Sequence, residues 1–272
     1  MKYSFMTFSC PELPLDEVLA VAKRYSYDAV EPRAEADHRH GIELGASIRR
    51  RQAIRRTVAQ SGLSLSCIAT SCQLANPAQA AEAVERACAY VELASDVGCG
   101  RVRVFGGALP PHTTRQQASD TLVASLRSVA AAAAEREVIV CLETHDHWCD
   151  PADVVAVMKD VNKASIGVNW DIMHPLLRAG VDIEGAYSAL RAWIRHVHFH
   201  DGQRENDETV LMPIGQGAVD HRSAVHVLSS GGYEGYLSGE WIDWSIPYDT
   251  HLSRELDTMR RYEREEALGD AR

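Results

Sequence analysis

Along the 272 residues, short apolar runs alternate with longer stretches whose apolar residues recur every three or four positions. The short runs are residues 4–10, 28–33, 63–70, 101–107, 138–145, 166–171, 194–202 and 235–241. Runs of that length read as strands; the stretches between them, often ending on glycine, read as helices. The order is strand then helix, eight times over. Strands joined through a helix run parallel, because the crossover brings the chain back to the same edge before it pairs. Eight such units close into an α/β fold, a single (β/α)8 TIM barrel over residues 1–272. The competing open sheet announces itself with a Gly-rich first turn, whereas the first run here leads into SCPELPL. No repeat, linker or shift in composition divides the chain. The polar end from about residue 263 is expected to fray.

Hydrophobic residues make up 46% of the chain, enough for a large core, and the net charge is −10. That charge argues against nucleic acid, whose binding depends on neutralising phosphates. The arginines at 49, 50, 51, 55 and 56 fall in one predicted helix and read as its solvated face. Seven cysteines, an odd number with no CxxC, read as small buried hydrophobes in a reducing compartment. No apolar run approaches the ~20 residues of a membrane span, and the first residues carry no cleavage pattern. A soluble, cytoplasmic protein with no membrane partner is expected.

In a barrel of this kind, reactive residues gather at the C-terminal ends of the strands. The fifth run ends in Glu143, Thr144 and His145, and the sixth ends in Asp171, with His174 close behind. The seventh carries His196, His198 and His200 at alternate positions and then Asp201; the eighth ends in Glu240 and Trp241. Four successive strands thus send a carboxylate or imidazole to one rim, and the sequence shows no lysine or arginine at those ends to compensate them. Unpaired, such groups repel one another, and a divalent cation relieves that cost. The oxygen-rich set suits Mn2+ best, with Mg2+, Co2+ or Zn2+ as alternatives.

The elements ETH, DIMH, HVHFHD, IGQGAVD and GEW resemble the xylose-isomerase-like superfamily of sugar isomerases and epimerases. That group includes ketose 3-epimerases, hydroxypyruvate isomerase and inosose dehydratase. The resemblance covers essentially the whole chain and implies one divalent metal ion held by Glu143, Asp171, His198 and Glu240. It selects His198 because the family's HxHxxD pattern uses its second histidine. It further implies that Glu143 and Glu240 are the catalytic acid/base pair, working next to a carbonyl through a metal-bound enediolate. His174 is implied as a substrate contact, and Arg204, six residues beyond His198, as a clamp on substrate hydroxyls. Phe105, Trp148, Trp241 and Trp244 are candidates for an apolar wall against a sugar ring. His145, His147 and Arg33 are candidates for polar contacts, and Glu31 is a rim or supporting group.

Two outcomes share this first proton abstraction. One is isomerisation or epimerisation of a sugar or cyclic keto-polyol. The other is a lyase reaction, as in an inosose or dehydroshikimate-type dehydratase or an enzyme that cleaves C-glycosides of oxidised sugars; His145, His174 or His200 would supply its proton. The AP-endonuclease branch of the superfamily uses three metals and is disfavoured. The third and fourth strand ends read ATSC and VFGG, and VLMP stands before the GQG loop, so its additional ligands are missing. Family members are often dimers or tetramers, and the Ala-rich helices at 78–94 and 129–134 are compatible with such packing.

Overall fold

The computed structural model describes residues 1–206 and 208–269. Its strands are β1 (Lys2–Met6), β2 (Ala29–Glu31), β3 (Ser64–Leu65), β4 (Ile68–Gln73), β5 (Arg101–Phe105), β6 (Ile139–Glu143), β7 (Ile166–Asp171), β8 (Ile194–Phe199), β9 (Asp201–Glu205), β10 (Glu208–Met212) and β11 (Tyr236–Gly239). The helices are α1 (Leu15–Arg24), α2 (Ile48–Ser61), α3 (Ala80–Val97), α4 (Arg115–Glu135), α5 (Pro151–Val161), α6 (Ile183–Leu190), α7 (His221–Ser230) and α8 (Tyr248–Gly269).

Nine strands form one parallel sheet in the order β3-β2-β1-β11-β8-β7-β6-β5-β4. A further parallel bridge, Arg33 to Ala69, ties the chain just past β2 to β4 and nearly closes the ring. This is the TIM barrel. The third unit differs from the single strand expected over 63–70: it is split into β3 and β4. Ser66 carries the connection, its N–H donating to Val30 O at 3.0 Å.

Local chemistry explains the helix ends. Thr114 and Gln117 form a reciprocal capping box at the start of α4, Asp150 caps α5 ahead of Pro151, and Asp220 caps α7. The α2 and α3 helices stop at Gly62 and Gly98, both left-handed. Outward-facing strand residues such as Val102, Val104, Val140 and Val168 pack against helix residues such as Leu122, Leu126 and Val157 in a continuous core. No helix among the described residues is long and apolar enough to cross a membrane. All seven cysteines are free thiols; Cys88 is half-buried and the other six are buried.

The C-terminal segment and the seventh run add detail to the expected plan. The residues from 263 to 269 are helical and continue α8, where Tyr262 packs into the core and Glu263 pairs with the N-terminal ammonium at 2.9 Å. The last three residues of that expected tail lie outside the described residues. The seventh run also ends earlier than expected. It stops at Phe199, and β9 and β10 then form an antiparallel hairpin beside the barrel mouth. This hairpin lacks the Asn-Gly type of turn that marks hairpins in a sequence; Asn206 takes the left-handed position instead.

Candidate active site

Glu143 closes β6, Asp171 closes β7, His198 lies on β8 and Glu240 directly follows β11. One ligand atom from each lies within 4.8 Å of the others, and all four residues are buried. His198 Nδ1 faces Glu143 Oε1 at 3.1 Å and Glu240 Oε2 at 3.2 Å. Its other nitrogen, Nε2, donates to Glu31 Oε1 at 3.0 Å. That bond makes Nε2 the protonated nitrogen of the neutral ring, so Nδ1 is the one that can offer a lone pair between the carboxylates once its own proton is lost.

Glu31 does more than support one imidazole. It is fully buried on β2, and its Oε2 accepts from His196 Nε2 at 2.8 Å. One carboxylate therefore bridges both inward-facing histidines of β8. His196 is the deeper of the two and belongs to the interior layer. His200 lies just past β8; its Nδ1 donates to the Glu240 carbonyl at 2.9 Å and its Nε2 stands 2.8 Å from Asp171 Oδ2. Asp171 Oδ1 accepts from the backbone N–H groups of Met173 and His174, which anchors the following turn.

Asp201 is not the rim residue that its place after His200 suggests. It is fully buried, and its two oxygens accept from the N–H groups of Gly202, Gly215, Gly217 and Val219. The IGQGAVD segment is thus wrapped around a carboxylate. Gly217 has to be glycine, since a Cβ there would sit 2.2 Å from Asp201 Oδ1.

The four strand ends carry no lysine or arginine, as the sequence reads, but a basic residue inside a neighbouring strand does compensate the carboxylates. Arg103 points inward from β5, 1% exposed, with Nε 3.0 Å from Glu143 Oε2. Its Nη1 donates to the Thr70 carbonyl at 2.6 Å, and its guanidinium lies 4.0 Å from the Phe105 ring centroid. In RVRVF the arginine occupies the same face as Phe105, so alternation marked it as interior; the apolar flanks concealed its role.

Charge in the cluster is strongly coupled. Burial raises the Glu240 carboxyl, but the adjoining His198 charge outweighs it and holds the group at about 2. Burial opposes a proton on His198, yet Glu31, Glu143 and Glu240 together raise it well above the ordinary histidine value. Burial likewise opposes charge on His200, and Asp171 lifts it to about 9. For His174 burial prevails and pushes it down to about 4. Without a cation, a proton on His198 supplies counter-charge for the surrounding carboxylates. A divalent ion on the Nδ1 side can take over that role. The residues fit such an ion: three carboxylates and one imidazole converge, and Glu143 Oε2 and Asp171 Oδ2 are buried without a well-formed hydrogen bond, having only the ion-pair approaches of Arg103 and His200.

The remaining candidates divide between the mouth and the core. His145 packs edge-on against His174 with ring centroids 4.2 Å apart, and Phe105 lies 5.0 Å from His145. These three border the cluster. Trp148 and Trp241 do not form an open wall, since each is 1% exposed. Trp148 packs against Gly106, where a Cβ would lie 2.2 Å from its ring, and Trp241 packs edge-on against Phe199 and stacks with half-buried Trp244. Arg33 is held by Ser71 Oγ at 2.5 Å beside the mouth. Arg204 is exposed on β9, with Nη1 3.5 Å from the Leu177 carbonyl. It lines a neighbouring cavity of about 490 Å³ with Arg115, Asp146, His147, Arg178 and Thr209, rather than the cluster itself.

The family model described as xylose isomerase-like TIM barrel matches residues 19–262. The chain belongs to that family. A 3-dehydroshikimate dehydratase of Bacillus anthracis is 22% identical over 159 residues, which are 52% of this chain and 56% of that protein. The chain thus matches little more than half the length of that curated relative. An L-ribulose 3-epimerase structure superposes with a TM-score of 0.81 at 18% identity, covering 100% of this chain and 97% of that one. A xylose isomerase-like TIM barrel protein from Mycobacterium smegmatis, solved in complex with magnesium, gives 0.75 at 17% identity, with 97% of both chains covered. At these identities the structural likeness establishes the fold, and the relatives that carry it include an epimerase and a dehydratase.

Proposed function

We propose that this protein is a divalent-metal-dependent isomerase or epimerase of a sugar or keto-polyol, with Glu143, Asp171, His198 and Glu240 as the ligands. The observation that carries this reading is their convergence from four neighbouring barrel strands within 4.8 Å, with His198 presenting Nδ1 to the two glutamates. When bound, a divalent cation, Mn2+ foremost and Mg2+, Co2+ or Zn2+ otherwise, supplies Lewis-acid stabilisation for charge that develops on a carbonyl oxygen. Glu240, near the mouth, accepts the proton from the carbon beside that carbonyl, and Glu143 serves as its acid/base partner. His174 and His145 offer hydrogen bonds to the substrate's hydroxyls, and Phe105 gives the mouth its apolar edge. The epimerase and the magnesium-bound protein among the structural relatives support the same reading.

A lyase on the same platform is the second reading. His145, His174 and His200 form a row of imidazoles beside Asp171, with successive ring centroids 4.2 and 5.8 Å apart. Such a row can protonate a departing hydroxyl. The match to a 3-dehydroshikimate dehydratase favours this branch.

The deciding experiment follows deuterium uptake from D2O by NMR. Protein loaded with each of the four metals is screened against ketoses, keto-acids and inososes. Metal-dependent exchange beside a carbonyl is expected, and Glu240→Gln abolishes it in a folded protein. Full exchange in that variant would sink the assignment. A rise in near-ultraviolet absorbance from a conjugated product marks the lyase outcome.

A further inference from the structure

The guanidinium of Arg103 is enclosed in the barrel, yet its hydrogen bonding is incomplete. Nη1 donates to the Thr70 carbonyl, while Nε stands 3.0 Å from Glu143 Oε2 as an ion pair without a well-formed hydrogen bond. The Nη1 bond is the one side-chain hydrogen bond of the group to the described residues, which leaves Nη2 without an acceptor there on a side chain only 1% exposed. Packing holds the group in place: Phe105 covers one face at 4.0 Å, and the Thr70 hydroxyl donates to Arg103's own carbonyl at 2.8 Å. A guanidinium keeps its charge at all working pH values and presents its donors in a rigid plane. Such a cation, fixed beside Glu143 with an N–H pair to spare, is unexplained by fold stability. A buried ion pair is weak support for a fold, and apolar residues of similar volume pack as well.

We propose that Arg103 is a catalytic residue whose Nη2 donates to the carbonyl oxygen, or the hydroxyl beside it, of an α-hydroxy-carbonyl substrate. The inference rests on the proton-transfer reading above. As Glu240 takes the proton, the C–H bonding pair becomes the new carbon–carbon π bond and the carbonyl π pair moves onto oxygen. The proton stays on Glu240 and no other atom is transferred. Arg103 meets the growing negative charge on that oxygen with a donor already in position, so no reorganisation is needed at the moment of reaction. It also favours substrates with two neighbouring oxygens over simple ketones.

The test uses Mn2+-loaded protein with glycolohydroxamate, a planar anionic ligand with two vicinal oxygens, as the probe. Calorimetry measures its affinity, and EPR titration of the metal-free protein measures Mn2+ binding. Arg103→Met is expected to bind Mn2+ within about tenfold of wild type. Its hydroxamate affinity and its deuterium exchange are expected to fall by about 10²–10³-fold, the loss that follows removal of one oxyanion donor. Arg103→Lys keeps a charge for Glu143, and so the fold, but leaves no second nitrogen for the ligand. At least about a tenfold loss of hydroxamate affinity is expected there. Wild-type hydroxamate affinity in Arg103→Lys overturns the proposal. So does a parallel loss of Mn2+ and hydroxamate in Arg103→Met, which would make Arg103 only a support for Glu143. Wild-type protein that binds no Mn2+ overturns the metal-dependent reading as well, so the two failures are distinguishable.

Discussion

Glutamate 31 offers the sharpest test of how the cluster is held. Its two oxygens accept from His196 and His198 at 2.8 and 3.0 Å, and all three residues are fully buried. Replacing it with glutamine conserves shape but changes the donor count. An amide has one acceptor oxygen and one donor nitrogen, so it satisfies only one Nε2–H and confronts the other with N–H against N–H. The imidazole that loses can recover only by moving its proton to Nδ1. If that imidazole is His198, its lone pair no longer faces Glu143 and Glu240. Loss of a supporting partner of this kind lowers metal affinity by about 10–100-fold, or roughly 1.4–2.7 kcal/mol. The lost charge-assisted bond costs a further 2 kcal/mol or so of stability, about 4–8 °C in Tm for a domain of this size. Glu31 touches neither solvent nor the proposed substrate position, so KM should change much less than metal affinity. The assay is Mn2+ titration by EPR together with differential scanning calorimetry. A Glu31→Gln protein with wild-type Mn2+ affinity and wild-type Tm would refute the bridging role.

Three further perturbations address separate parts of the structure. His198→Asn should lose Mn2+ binding, whereas His196→Asn should retain it and lose about 1–3 kcal/mol of stability; equal metal affinities in the two variants would contradict the assignment of His198. Asp201→Asn turns an acceptor of four backbone N–H groups into a group that must present two donors of its own. A loss of at least about 3 kcal/mol in urea unfolding is expected, and an unchanged midpoint would show that the 215–219 segment does not depend on that carboxylate. His40 is buried, donates from Nε2 to Arg33 O and accepts the Ile42 N–H at Nδ1, so the fold holds it neutral and burial pushes it down to about 4. The unfolded chain, titrating near 6.5, binds the extra proton first. The contribution is therefore intact above pH 6.5 and declines as pH falls toward 4, by about 3 kcal/mol in all. The pH profile of His40→Gln should be flatter by that amount across this window, and parallel profiles would count against it.

Strand and helix period, glycine stops and helix caps act over a few neighbouring residues, which is why the eight strand–helix units and the barrel were legible before any contact was known. The ends of parallel strands share one rim by construction. Glu143, Asp171, His198 and Glu240 could therefore be grouped from their positions alone, once the resemblance had singled out His198. Everything that depends on which side chain meets which across the barrel was decided only by the tertiary structure. Glu31 lies 167 residues from His198, and no local pattern links them; barrel closure brings β2 and β8 to face each other through the interior. Arg103 reads as an odd charge in an apolar strand until Glu143 stands 3.0 Å from it. Trp148 and Trp241 follow strand ends, as a substrate wall would, but the glycines at 106 and 239 leave hollows that draw both rings into the core. Sequence reaches as far as backbone period and strand polarity extend. The counter-charges and supporting carboxylates that determine what the cluster can do arise from closure of the ring.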